Sequence, residues 1–153
     1  MNKNTNFKFY FGLLVMVTML FPSYSLAMND PVTDSPYRKA GNFIFISSQV
    51  PINPVTHKLV SSDVNQQVRQ VLENLREKVI ESGAEMKDVI KLTLYLEDID
   101  SVFPVVKEYI PQYFEPPYPA RSPVPGLSFG KTGFKIAIDA ILYVNQENQG
   151  NSL

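Results

Sequence analysis

The chain has no cysteine and a single histidine, His57. Without thiols, neither a disulfide framework nor a thiolate nucleophile is available. One imidazole excludes a His-rich metal site and leaves a Ser-His-Asp triad a single possible base. His57 falls in Asn53-Pro-Val-Thr-His57, between two strand-like runs, and reads as a surface turn residue. There is also no Gly-rich phosphate loop, no internal repeat and no cluster of Lys and Arg. Nonspecific nucleic acid binding draws on basic patches, so no nucleic acid partner is expected.

What is present begins with a leader-like segment. Lys3 and Lys8 make a positive start, and Phe9 to Phe21 form an apolar run broken only by Gly12 and Thr18. Ser25-Leu26-Ala27 then offers the small residues a signal peptidase reads. The run is short of the roughly 20 apolar residues a spanning helix needs. Residues 1–27 therefore read as a signal peptide rather than an uncleaved anchor. The expectation is an exported, periplasmic protein with no stable membrane association once the leader is gone. The remaining residues 28–153 suffice for one domain with one modest core, at about 35–143. Removing the two leader lysines leaves 12 Lys and Arg against 15 Asp and Glu, a net charge near −3.

Phe43 to Val50 is rich in β-branched and aromatic residues, ends at Pro51 and reads as a strand; Lys58-Leu-Val60 is expected to return as a short one. Val64, Val68, Val71, Leu72, Leu75, Val79 and Ile80 recur at helical spacing, with Asp63 as cap and Gly83 as terminator. On its polar face, Glu73 and Glu77 read as a solvated charge ladder with Arg69 and Arg76. Val89 to Leu96 alternates, placing Ile90, Leu92, Leu94 and Leu96 on one face and Lys91, Thr93 and Tyr95 on the other. A second helix spans Val102 to Ile110, with Asp100 as cap, and Pro111 is expected to kink or end it. Phe114 to Arg121 reads as a proline-stiffened loop, Lys135 to Tyr143 as a closing strand and Asn145 to Leu153 as a polar tail. The predicted order is β-β-α-β-α-β, with both helices on one face of a sheet. So small a domain has no third layer for the other face, and copies of the same sheet are the economical cover.

Pro119-Ala-Arg121-Ser122 places one arginine beside the proline-rich segment. A guanidinium is permanently charged and grips a carboxylate through two parallel hydrogen bonds, so Arg121 is a candidate receptor for small carboxylic acids.

Ser35-Pro-Tyr37, Gly41-Asn42, Ile46-Ser-Ser-Gln-Val-Pro51, Asn53-Pro54, Gln67 to Leu75, Lys91-Leu-Thr-Leu-Tyr95, Tyr109, Pro119 to Ser122 and Ile136-Ala-Ile-Asp-Ala140 run in the order of the RidA family, also called the YjgF family. The chain resembles that family over nearly all of residues 35–143. The resemblance implies a chorismate-mutase-like α+β single domain with a mixed sheet and two helices on one face, forming a homotrimer with clefts between subunits. It implies hydrolytic deamination of reactive 2-imino or 2-enamino acids to 2-oxo acids and ammonia, with no metal or organic cofactor. Arg121 matches the carboxylate-binding arginine, and Ser47, Ser48, Tyr37 and Ser122 complete the implied substrate-binding set. The family's glutamate in the closing strand falls on Ala137, which leaves Asp139, two residues on, as the candidate acid. A trimeric small-carboxylate-binding protein without catalysis is the alternative reading. Endoribonuclease activity fits worst, given the acidic mature chain and lone histidine.

Overall fold

The computed structural model describes residues 35–126 and 133–145; the predicted leader and nearly all of the polar tail lie outside the described residues. Strand β1 (Tyr37–Ala40) turns through Gly41-Asn42 into β2 (Phe43–Gln49). Helix α1 (Val64–Glu81) follows, then a single 3-10 turn at Met86–Asp88, β3 (Val89–Leu96), α2 (Ile99–Tyr113), β4 (Ala120–Pro125) and β5 (Ile136–Tyr143). The sheet order is β1-β2-β5-β3-β4. All pairs are antiparallel except β3–β4, whose parallel register is made possible by the α2 crossover.

Both helices lie on one face, α1 over β2 and β5 and α2 over β3 and β4, which confirms the predicted α+β architecture. The α1 cap is as expected: the Asp63 carboxylate accepts from the Gln66 backbone N–H at 2.9 Å. Gly83 adopts φ +80, and Gly83 and Ala84 return N–H bonds to Ile80 and Val79, closing the helix. Val68, Val71, Leu72, Leu75 and Val79 turn inward onto Ile44, Ile46, Leu92, Leu94, Leu96, Ile136, Ile138 and Leu142. Burying one such side chain contributes about 1.5–3 kcal/mol.

Several expectations are corrected. Asp98, not Asp100, caps α2, accepting from the Ser101 N–H at 2.8 Å and the Ser101 hydroxyl at 2.6 Å. The helix starts at Ile99, which places Asp100 inside the first turn. Pro111 does not end α2, which runs on to Tyr113: the proline φ is itself helical, and the helix forgoes one N–H bond there. Lys58–Val60 forms only a bridge, Ile52 to Leu59. Residues 37–40 and 120–125, unassigned or read as loop, are the two edge strands. Edge positions tolerate the polar β1 and the two prolines of β4, since one side of each strand needs no ladder partner. Ile90 faces out, 45% exposed. A register shift between Val89 and Lys91 pushes it from the ladder and gives its inward place to Val89.

Candidate functional site

Arg121 stands on β4, the edge strand beside β3. Its register partner is Leu92, an inward residue, so Arg121 leaves the helix-bearing side of the sheet at its rim. The side chain is exposed, and among the described residues its guanidinium has neither a hydrogen bond nor an ion pair. None of the described residues takes up its five N–H donors, which can meet an incoming anion.

The opposite face, which neither described helix covers, carries a row of polar residues in register across four strands. Ile46 pairs with Ala140 but Gln49 with Ile138, so Ser47 and Ser48 together oppose the single residue Asp139. This is a bulge, the device that re-aims side chains within a sheet. Asp139 is level with Thr93 on β3, and Thr93 with Ser122 on β4. Two flanking side chains fix the row. The Tyr95 hydroxyl donates to Asp139 Oδ2 at 2.7 Å. That bond to the carboxylate, aided by partial burial and the nearby negative charge, pushes the Tyr95 phenol above its usual range. The Lys91 ammonium donates to the Ser122 hydroxyl. Beside Tyr95, Ala137 is fully enclosed on this same side, separate from the main core. Above the row, Phe43, Phe45 and Tyr143 form an aromatic patch with ring centroids 5.3 and 6.5 Å apart.

The structure therefore gathers Ser47, Ser48, Asp139 and Ser122 on one face and leaves Arg121 on the other. Tyr37 joins neither group. It is level with Ile46 on the helix side, and its hydroxyl donates to the Glu81 carbonyl at 3.4 Å. Its strand is the edge opposite Arg121, about 19 Å away across four interstrand spacings. Ser47 also holds the chain before β1, donating from both its hydroxyl and its N–H to the Pro36 carbonyl at 3.0 and 3.1 Å.

Sequence reasoning missed Tyr95, Lys91 and Gln67. Tyr95 and Lys91 lay on the recognised outward face of β3, but their partners belong to distant strands. Gln67 is buried on the inward side of α1, and the spacing Gln67, Val71, Leu75, Val79 was the available signal. Its amide donates to the Ser61 and Gly133 carbonyls at 2.7 Å each and accepts from the Lys135 N–H at 2.8 Å. It thereby fastens the entry to β5, and with it Ala137 and Asp139. His57 is an exposed turn residue at φ +55, as expected. Glu73 is bound by Arg76 at 2.5 Å and by the Tyr113 hydroxyl at 2.8 Å, a structural tie between the helices.

Among the described residues no three His, Cys, Asp or Glu side chains converge as metal ligands. Two clefts, of about 70 and 370 Å³, open around Gly83 at the far end of the sheet and contain neither Arg121 nor any member of the polar row. No helix of the described residues is long and apolar enough to cross a membrane.

Known proteins resemble this chain in sequence and in fold. A RutC family protein of Pyrococcus horikoshii is 41% identical over 118 residues, covering 75% of this chain and 92% of that one. A 2-iminobutanoate/2-iminopropanoate deaminase of Dermatophagoides farinae is 28% identical over 74% of this chain and 90% of its own length. Among solved structures, RidA from an Antarctic Psychrobacter superposes with a TM-score of 0.66 at 32% identity, covering 73% of this chain and 89% of that one. The YjgF gene product of E. coli superposes with a TM-score of 0.65 at 30% identity, covering 74% and 90%. The family described as Endoribonuclease L-PSP matches residues 29–144, which include every strand, both helices and the whole polar row, and the chain belongs to this family, that of YjgF and RidA.

Proposed function

We propose that this protein hydrolyses reactive 2-imino acids to 2-oxo acids and ammonia, in clefts formed between copies of the chain. The observation that carries this reading is the open Arg121 guanidinium at the rim of a sheet whose other face bears polar groups suited to water and proton handling. The deaminase relative, aligned over nearly all of its own length, supports it. Arg121 would hold the substrate carboxylate through paired N–H bonds, fixing the neighbouring C=N carbon for attack by water. Hydroxyls of Ser47, Ser48 and Ser122 would orient the substrate and the water. A homotrimer is the proposed assembly, since neither described helix covers one face of the sheet, which carries an exposed aromatic patch. The proposed setting is the periplasm, after removal of residues 1–27; mass spectrometry of the secreted protein tests this by whether Met28 is the first residue.

A second reading, a carboxylate-binding protein without catalysis, is favoured by Ala137, which puts a methyl group where the resemblance implies a glutamate. One experiment separates the two. Purified protein is given an imino acid generated in situ by an amino acid oxidase, and ammonia and 2-oxo acid release are followed with and without it. Acceleration that disappears in Arg121→Ala supports hydrolysis. A rate equal to buffer, together with a melting temperature raised by a 2-oxo acid only when Arg121 is present, supports binding alone.

A further inference from the structure

Asp139 is the only acidic residue in any of the five strands. It is half-buried, and among the described residues no cation pairs with it. A carboxylate partly removed from water without a counter-charge is costly, and stability alone does not favour it. Its neighbours are instead arranged around it. Tyr95 donates to Oδ2 from one side at 2.7 Å. On the other side the β2 bulge presents two serines to this one residue. Oδ1 has no hydrogen-bond donor among the described residues.

We propose that Asp139 is the general base of the site and that Tyr95 is its positioning residue. This rests on the imine-hydrolase reading above. Oδ1 removes a proton from water as the water oxygen bonds to C2 of the imino acid, and the C=N pair moves to nitrogen, which takes up a proton from solvent. In the resulting carbinolamine, Asp139 returns its proton to the nitrogen. The C–N bond then breaks, ammonia departs with the bonding pair, and the hydroxyl loses its proton to water to leave the 2-oxo acid. The overall balance is imino acid plus water giving 2-oxo acid plus ammonia, with no other reactant. Tyr95 holds one carboxylate oxygen by its hydroxyl, so that the other stays aimed away from β3. Of the two bulge serines, Ser48 is placed to hold the attacking water, since the Ser47 hydroxyl is given to the Pro36 carbonyl.

The test compares wild type with Asp139→Asn, Asp139→Glu and Tyr95→Phe in the coupled imine assay, with melting temperature and oligomeric size measured on each. Asparagine keeps a carbonyl acceptor for Tyr95 but cannot take a proton, so it separates chemistry from architecture. Asp139→Asn should lower kcat about 100- to 1000-fold, as loss of a general base does, with KM changed less than about threefold. Asp139→Glu should retain more activity than Asp139→Asn, and Tyr95→Phe should lower kcat about tenfold at an unchanged melting temperature. If wild type is active and Arg121-dependent but Asp139→Asn is equally fast, this inference is overturned while the hydrolase reading stands. An Asp139→Asn protein that loses activity only by losing its oligomeric state also overturns it, assigning the polar row to packing between copies. Wild type without activity overturns both.

Discussion

Arg121 and Asp139 lie on the two strands that flank β3, yet they leave opposite faces of the sheet. Arg121 is level with Leu92 and Asp139 with the next residue, Thr93, and successive side chains on a strand point to opposite sides. No rotamer of either residue brings the two together through the sheet. On the proposed reading, a site that uses both is completed by a second copy.

Mixing experiments follow from that geometry. Arg121→Ala and Asp139→Asn, each expected to be nearly inactive, should regain activity when co-refolded. In randomly mixed cyclic trimers about a quarter of the clefts would combine an intact arginine from one subunit with an intact aspartate from the next. Co-refolded variants that stay as inactive as either parent would place both groups in one subunit's site.

Arg121→Lys keeps the charge but loses the planar fork of donors. It should raise KM for small imino acids about tenfold or more, with a smaller change in kcat. Steady-state kinetics against a series of carboxylates gives the answer, and an unchanged KM would mean the arginine does not touch the carboxylate.

The outer aromatic patch should be an association surface. Phe45 is 45% exposed beside Phe43, with Tyr143 against the same ring. Phe45→Asp should shift the protein to a monomer in light scattering at micromolar concentration, because a charge there opposes desolvation. Imine hydrolysis should fall with it.

Gln67 makes three hydrogen bonds to backbone groups while fully buried. Gln67→Leu should cost roughly 2–4 kcal/mol in urea unfolding, since the Lys135 N–H and two carbonyls lose their partners. A stability within experimental error of wild type would show that water replaces the amide.

Tyr113 supplies an alkaline signature. Burial, followed by its bond to Glu73, pushes the phenol up to about 12 from an unfolded value of 10.0. A folded-state pKa raised in this way contributes stability that is complete below pH 10 and lost as pH rises toward 12. Tyr113→Phe should flatten this part of the decline in thermal melts between pH 9.5 and about 12. The same slope in both proteins would assign the decline to other groups.

Local pattern determined much of this protein. The apolar spacing of Val64 to Val79 set α1, although Ile80, counted with that face, is 64% exposed; Asp63 and Gly83 set its ends, and the alternation of Leu92, Leu94 and Leu96 set the inward face of β3, because these depend on neighbours a few residues away. The ordered strings around Ser47, Lys91 and Arg121 pointed to the family for the same reason: they are contiguous in sequence. Tertiary structure decided the rest. Ala120 and Arg121 read as loop and Ser122 to Pro125 carried no strand signal until β3 supplied a ladder on one side only, and Ile90 was turned outward by a register shift between strands. The meeting of Tyr95 with Asp139, and of Asp139 with the serine bulge, joins residues some 44 to 92 positions apart. Sequence proximity likewise put Arg121 beside Ser122, whereas pleating sent them to opposite faces. Which groups share a site is set by strand order and register, and those are fixed only when the whole sheet closes over its core.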